Sequence, residues 1–409
     1  MMLAGKHIVV GISGGIAAYK IPELIRLLKK QGAEVRVTTT RHALEFVTEL
    51  TLQTLSGARV YSDVFAAINE HATEHISLPE WADAMLVAPA TANVIGKFAA
   101  GIADDALTTT FAAMRKPVVI APAMNDKMYQ NPATQRAMQT LAATDNILLM
   151  DAESGFLACG SEGKGRMAEI DKLVEALHYR LTPKTLTGKR ILITAGPTQE
   201  KIDPVRFISN YSTGKMGFAL ARACYNRGAT VQLIAGPVTQ ALPEAFPSLT
   251  PTATIETIRV TSALEMARAA EECWPKADAA ILCAAVADFM PAQCADEKIK
   301  RGKDEMVLHL SPTRDIAAAL GTEKHPGQCL VGFALETQNE QTHAQDKLRR
   351  KNLDMIVLNS LRDAGAGFGT DTNKVTLLFP DNTAKESPLQ TKEAVAETIV
   401  SEMTRLMNV

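Results

Sequence analysis

No C-x-x-C pair occurs among the six cysteines, which stand at 159, 224, 273, 283, 294 and 329. Their scatter excludes a disulfide framework and a cysteine-built zinc site, and the expected compartment is a reducing cytoplasm. There is no run of 18 uninterrupted apolar residues, so no transmembrane helix is expected. The opening MMLAGKHIVVGIS has too short an apolar stretch for a secretory signal. Neither sign of charge is in excess: 43 Lys and Arg face 45 Asp and Glu, a formal net charge of −2, which gives no reason to expect nucleic acid or a membrane as partner. Two phosphate-loop signatures are also missing. Gly214-Lys215 is followed by Met216, with no glycine five residues before Gly214, so it is not a Walker loop; GISGGIAAYK at 11–20 lacks the G-x-G-x-x-G spacing.

What the chain does have is length and apolar runs. At 409 residues and 46% hydrophobic, it is expected to form two or three domains. HIVVGIS (7–13), EVRVTTT (34–40), DAMLVAPA (83–90), PVVIAPA (117–123) and ILLM (147–150) alternate with amphipathic segments, the pattern of parallel strands covered on both faces. TPKTLTGKR (182–190) breaks the pattern, and ILITAG begins afresh, so domains at 1–181 and 191–409 joined by a linker at 182–190 are expected. TVQLIAG (230–236), DAAILCAAVADF (278–289), CLVGFAL (329–335) and DMIVLNS (354–360) read as further strands, and 390–407 as a closing helix. The fold class expected is α/β with two Rossmann-like domains; the likeness of GKHIVVGISGG to GKRILITAGPT is too short to establish a repeat.

Gly14 and Gly15, between a strand and a helix, offer bare amides to a phosphate, although a plain tight turn is the simpler account of the pair alone. No ribose-binding acid follows the second strand, so a mononucleotide suits the turn better than a dinucleotide. PATAN at 89–93 and PAMNDKMY at 122–129 add polar groups at further strand ends. These motifs resemble those of the flavin-dependent cysteine decarboxylases, with Tyr129 in place of the more usual Trp. The resemblance implies a flavodoxin-like N-terminal domain with FMN held by Ser13, Gly14, Gly15, Thr39, Pro89, Thr91 and Asn93. It also implies His75 as base, Asn125 holding the departing carboxylate, and Cys159, in the glycine-rich stretch 154–167, as proton donor from a mobile flap. FMN would oxidise the substrate thiol, creating the electron sink for CO2 loss, and return the electrons afterwards. Without the resemblance, His75 is a solvated loop histidine and Cys159 an inert thiol. His71 and His75 have i, i+4 spacing but no third metal ligand.

ITAGPTQEKIDPVRFISNYSTGKMG (193–217), AAVADF (284–289), EKIKR (297–301), GFALET (332–337) and KLRRKNLD (347–354) look like phosphopantothenate-cysteine ligase motifs. Together the halves resemble the bifunctional phosphopantothenoylcysteine decarboxylase/phosphopantothenate-cysteine ligase family of bacterial coenzyme A synthesis. That resemblance implies a C-terminal nucleotide-binding ligase domain, 4'-phosphopantothenate and cysteine as substrates, CTP as co-substrate and Mg2+ with no protein ligands identified. It implies that SNYSTGKMG (209–217) helps cradle the cytidine triphosphate at a helix start, with an acyl-cytidylate bound by Asn210 and CTP contacted by Asp288, Lys298, Phe333, Lys347 and Lys351. The turn Arg314, Asp315, Ile316 and Ala317 would open a helix toward phosphate, with Arg314 where proline is frequent. Read alone, the lysines are a solvated helix face. The family also implies a homo-oligomer, with trimers of the flavin domain and dimers of the ligase domain combining into a dodecamer. Two rivals are an NAD-dependent two-domain reductase, which lacks its fingerprint, and a non-catalytic flavin carrier, which leaves His75, Cys159 and the second half unused.

Overall fold

The structure, a computed structural model, describes residues 3–65, 74–156, 162–246, 253–301, 305–336, 340–360, 367 and 369–408. The chain divides into two compact units, Met1–Thr182 with Phe246–Pro251, and Pro183–Ala245 with Thr252–Val409. Each is organised by apolar runs that become strands buried on both sides.

In the first unit the strands are β1 (His7–Ile12), β2 (Glu34–Thr39), β3 (Val60–Tyr61), β4 (Ala84–Ala90), β5 (Val118–Pro122) and β6 (Ile147–Leu149). They lie in the order β3-β2-β1-β4-β5-β6, and every pairing is parallel. All seven residues of β4 are buried, which is why its sequence shows no polar alternation. Alternation survives in direction only: Ile8, Val10 and Ile12 enter one apolar cluster and Val9 the other.

The second unit contains β7 (Arg190–Ala195), β8 (Thr230–Ala235), β9 (Thr254–Arg259), β10 (Ala279–Leu282), β11 (Cys329–Glu336), β12 (Met355–Ser360), β13 (Val375–Leu378) and β14 (Ala384–Glu386). The order is β9-β8-β7-β10-β11-β12-β13-β14. The first six strands are parallel and repeat the order of the first sheet, while β13 and β14 add an antiparallel edge. Both units therefore have the doubly wound arrangement.

Three differences from the sequence expectation have physical causes. The apolar run 278–289 is a strand only over Ala279–Leu282, because Cys283–Asp288 leaves the sheet to line a cavity. The short β3 and the largely exposed edge strand β9 lack a long apolar run to announce them. Within 182–190, Leu186 is fully buried and its amide donates to the Arg227 carbonyl at 2.8 Å, so part of that stretch is docked. The closing helix runs from Lys392 to Leu406.

Close packing sets the helix positions. A Cβ on Gly217 would run into the Ala195 methyl, so only glycine lets the helix Lys215–Asn226 lie this near the end of β7. Trp274, 1% exposed, fills the other face, and its Nε1–H donates to the Leu320 carbonyl at 3.0 Å. Trp274→Phe leaves that carbonyl without its donor and removes ring volume. We expect a loss of about 1–3 kcal/mol, read as a lower urea midpoint for the second unit's transition; an unchanged midpoint would show that water replaces the bond at no cost.

Candidate active sites

In the first unit, loops leaving β1, β2, β4 and β5 enclose a cavity of about 1070 Å³. Gly14 forms its floor, where an added Cβ would stand 2.5 Å from the Cβ of His42, so the turn must be bare for the two loops to meet. Ser13 is fully buried; its hydroxyl donates to the Pro89 carbonyl at 2.7 Å and accepts from the Thr91 amide at 3.0 Å. Ser13 thus braces the wall from behind and ties the turn after β1 to the end of β4. Gly14, Gly15, Thr91, Asn93 and Asn125 lie on the wall, whereas Ser13, Thr39 and Pro89 are buried outside it. The hydroxyls of Thr38, Thr39 and Thr40 are buried without a hydrogen-bond partner among the described residues, and Thr40 lines the cavity. Orphaned hydroxyls beside bare glycines suit a ligand rich in acceptors.

Asn125 caps the helix Asp126–Gln130, its Oδ1 accepting from the Lys127 amide at 2.9 Å. A hairpin of Glu153–Phe156 and Glu162–Arg166 lies directly on this turn: Met124 N donates to the Gly165 carbonyl at 3.0 Å. Cys159 falls outside the described residues. His75 lies on the helix Glu74–Trp81, off the cavity wall, and His71 is outside the described residues. Tyr129, the departure from the motif, is buried beneath Lys164, whose Nζ is 5.5 Å from the ring centroid.

In the second unit a cavity of about 880 Å³ brings together Asn210, Asp288, Arg314, Asp315, Ile316, Ala317, Phe333, Lys347 and Lys351. The loops after β7 and β10 are laced across it. Ala287 N donates to Thr198 Oγ1 at 3.0 Å, Ala284 N to Thr194 Oγ1 at 3.2 Å, and Asn210 Nδ2 to the Ala285 carbonyl. Asn210 Oδ1 accepts from the Ser212 amide at 3.2 Å, so both ends of this amide are oriented. Gly214 has φ +79° and begins the helix Lys215–Asn226, a backbone shape that favours glycine and turns the helix N-terminus toward the cavity. Asp315 caps the helix Ile316–Glu323 and pairs with Lys351 at 2.9 Å. Burial raises the Asp315 pKa, but the Lys351 hydrogen bond, the Ala318 amide and nearby positive charge outweigh it and hold the carboxyl below its ordinary range. Arg314 is paired with Glu271 at 2.8 Å. Lys298 is exposed and not on the wall. No group of three or more His, Cys, Asp and Glu side chains able to hold a metal occurs among the described residues, and no described helix is long and apolar enough to cross a membrane.

Similarity to known proteins extends over both units. The flavoprotein family matches residues 1–182, and the family of the DNA/pantothenate metabolism flavoprotein C-terminal domain matches residues 186–407. The coenzyme A biosynthesis bifunctional protein CoaBC of Bacillus subtilis (strain 168) is 46% identical over 408 residues, covering 99% of this chain and 98% of the relative. The chain belongs to the coenzyme A biosynthesis bifunctional protein CoaBC family. A cysteine/cysteine sulfinic acid decarboxylase from an unknown prokaryotic organism is 50% identical over 368 residues, covering 88% of this chain and all of that one. A crystal structure of the C-terminal domain of a CoaBC protein is 40% identical, covers 55% of this chain and 98% of its own, and superposes with a TM-score of 0.45.

In this CoaBC family member several wall residues escaped the sequence reading. Lys20 and Arg166 line the first cavity and converge on Glu169 at 3.1 and 2.9 Å. Lys97, also on that wall, pairs with Asp104 at 2.7 Å. Cys283 and Lys392 line the second cavity, and so does Lys215, which belongs to the SNYSTGKMG stretch at 209–217. Apart from Lys215, these lysines carry no local signature, so only the fold could have placed them. The Lys298 segment is held at a distance from its own side chain. Asp203, 1% exposed, accepts from Arg206 Nε at 3.0 Å and from the amides of Val205, Arg206 and Ile299 at 2.8, 2.8 and 3.1 Å. Arg206 Nη2 in turn donates to the Ile299 carbonyl at 2.7 Å.

The Arg206 hydrogen bond, supported by those amides, holds the Asp203 carboxyl far below the usual carboxylate range. A depressed folded-state pKa stabilises the fold fully above the unfolded value of about 3.9, and that contribution is lost as pH falls toward the folded value. Asp203→Asn should therefore be less stable than the parent by a constant margin above about pH 5, a margin that shrinks as pH drops below about 4. Urea unfolding across that range measures it; a margin that grows on acidification would contradict the assignment.

Proposed function

We propose that the chain joins cysteine to 4'-phosphopantothenate with CTP in its second unit and decarboxylates the resulting phosphopantothenoylcysteine to 4'-phosphopantetheine in its first. The observation that carries this reading is the second cavity, which gathers an oriented amide, a helix N-terminus and two lysines at the strand ends where an open parallel sheet binds ligands. On this reading Asn210 holds the acyl-cytidylate, Lys347, Lys351 and the Asp315–Ala317 turn receive CTP, Phe333 borders it, and Asp288 contacts it, with magnesium accompanying the triphosphate. Lys298 approaches the phosphates from its tethered segment.

In the first unit, Gly14, Gly15, Thr40, Thr91 and Asn93 would hold FMN, with Ser13 acting through the wall. FMN when bound supplies oxidation of the substrate thiol and its later reversal. Asn125 holds the carboxylate that leaves, and Cys159 returns a proton to the decarboxylated product. His75 is off the wall of its own chain's cavity, while Ile16, Tyr19, Met128 and Phe156 on that wall are 56, 62, 48 and 75% exposed. This apolar rim supports a homo-oligomer, in which His75 serves as base from a neighbouring copy. The absence of a cysteine framework supports a cytoplasmic setting.

Mixing flavin-loaded protein with phosphopantothenate and CTP, with and without cysteine, tests the reading through pyrophosphate, CMP and CO2. Lys298→Gln should lower pyrophosphate release by ~10²-fold or more if one charge-stabilising contact is lost. Asn210→Asp should still release pyrophosphate but stall before amide formation, because a carboxylate cannot donate to the Ala285 carbonyl or to the acyl oxygen. Decarboxylation should survive both changes. CO2 from free cysteine without phosphopantothenate, in place of this sequence, would favour the activity named for the second relative above.

A further inference from the structure

The helix Glu74–Trp81 carries His75 in its first turn, and its own hydrogen-bond ladder does not secure that residue. Pro79 has no N–H to give the His75 carbonyl four positions before it, and eight residues are too few for a helix to sustain itself in water. The support comes from the opposite end. Leu78 and Ala82, 6 and 0% exposed, enter the apolar cluster on one face of the first sheet. Beside them the Trp81 indole lies against side chains from the starts of β1 and β2. The His7 imidazole stacks on it, with ring centroids 4.5 Å apart and planes 15° from parallel, and the Arg36 guanidinium carbon stands 4.3 Å from its centroid. The register Val9↔Arg36 is what puts Arg36 on the same face as His7.

The last carbonyls of the helix are taken from the same side. Lys116 Nζ donates to the Glu80 carbonyl at 3.0 Å and to the Ala82 carbonyl at 2.5 Å, and a cation is favourable at a helix C-terminus. The Trp81 carbonyl can only accept, so His7 carries a proton on Nδ1 and donates it there at 3.1 Å. The next turn of chain is fixed to β1 as well: Asp83 Oδ2 accepts from the His7 amide at 2.9 Å, and the Asp83 amide donates to the His7 carbonyl at 2.7 Å.

All these anchors lie at the edge where the strands begin. The helix returns the chain from β3 to the start of β4, so it runs against the strands and its first turn points toward the strand ends, where the cavity opens. Trp81 itself is off the cavity wall. His75 stands six residues before it, about 9 Å along the helix axis, and any slide or rotation of the anchored end is carried to the imidazole.

We propose that Trp81 is a positioning residue for decarboxylation: held against His7 and Arg36, it sets the height and rotation of this helix and so the place at which His75 is presented to a substrate. The inference rests on the reading of His75 as base.

Hydrogen exchange and decarboxylation kinetics of the flavin-loaded full chain test it, with 4'-phosphopantothenoylcysteine as substrate. Trp81→Leu should speed amide exchange over residues 76–82 by about 10-fold or more while β1 and β5 stay protected. It should lower kcat per bound flavin by about 10-fold or more, with KM within about 2-fold of the parent. Trp81→Phe, which keeps a ring against His7, should restore most of that kcat. Unchanged exchange over 76–82 would overturn the proposal. So would a loss confined to flavin content or unfolding temperature with kcat per bound flavin unchanged, since that is the mark of a merely structural role. Should Trp81→Leu not fold, as judged by near-UV circular dichroism, Lys116→Met removes the carbonyl anchors instead and should give the same pattern; parental exchange and kcat in that variant would overturn the proposal. His75→Ala separates the two readings: if it turns over at the parental rate while Trp81→Leu still speeds exchange, the assignment of His75 as base falls and Trp81 stands as the anchor of its helix.

Discussion

In a parallel sheet whose crossovers change their direction of travel between two neighbouring strands, the loops leaving those strands part to opposite faces and a crevice opens between them. Here that reversal lies between β1 and β4 in one unit and between β7 and β10 in the other. A crevice left open this way exposes backbone groups that must find partners, and both units meet the need with short polar side chains. Ser13 bridges the turn after β1 to Pro89 and Thr91. Thr194, Thr198 and Asn210 do the same for the Ala284–Ala287 loop. The cavity shapes depend on these bridges, because they anchor the loops on either side of each crevice.

The second shared device is a carboxylate that fixes a cation or a loop near the cavity. Glu169 gathers Lys20 and Arg166, Asp104 holds Lys97, Asp315 holds Lys351, and Asp203 ties Arg206 to the Ile299 backbone. Such pairs add little stability where they are exposed, but they restrict long side chains that would otherwise sample many rotamers. The near-neutral composition of the chain is consistent with this pairing. Its balance is 43 basic against 45 acidic residues.

The fold was legible wherever burial on both faces forces a continuous apolar run. β1, β4, β5, β11 and β12 stand within a residue or two of their expected positions. The edges were not legible, because β3 is two residues long and β9 carries Glu256 and Arg259 toward solvent. Glycine-bearing and strand-end residues of the candidate sites were also legible, since a turn between strand and helix fixes its place in the fold; Gly14, Thr91, Asn125 and Asn210 all reach cavity walls. Ser13 and Thr39 lie behind the wall because they are the inward members of their strand ends, a distinction that needs the register. Lys215 and Lys392 are 177 residues apart in sequence numbering and meet only through packing of the first and last helices of the unit.

Two sheets of the same strand order therefore carry different candidate chemistry through the loops that leave equivalent strands. After β1 comes a turn with Ser13 and two glycines, whereas after β7 comes a longer excursion that runs through the Asp203 clamp before the helix starts at Lys215. After β4 the chain enters the helix Ala92–Ala100 directly, and after β10 it leaves as an extended loop to Asp288 before the hairpin Phe289–Pro291 with Leu310–Pro312. A short return keeps the first crevice lined by backbone amides and hydroxyls, suited to a ligand that stays. The long returns make the second crevice two-faced, with cations approaching from helices on both sides of the sheet. A reaction that must bring two anionic substrates together needs that second geometry, because a single helix N-terminus cannot neutralise two phosphate-bearing groups at once.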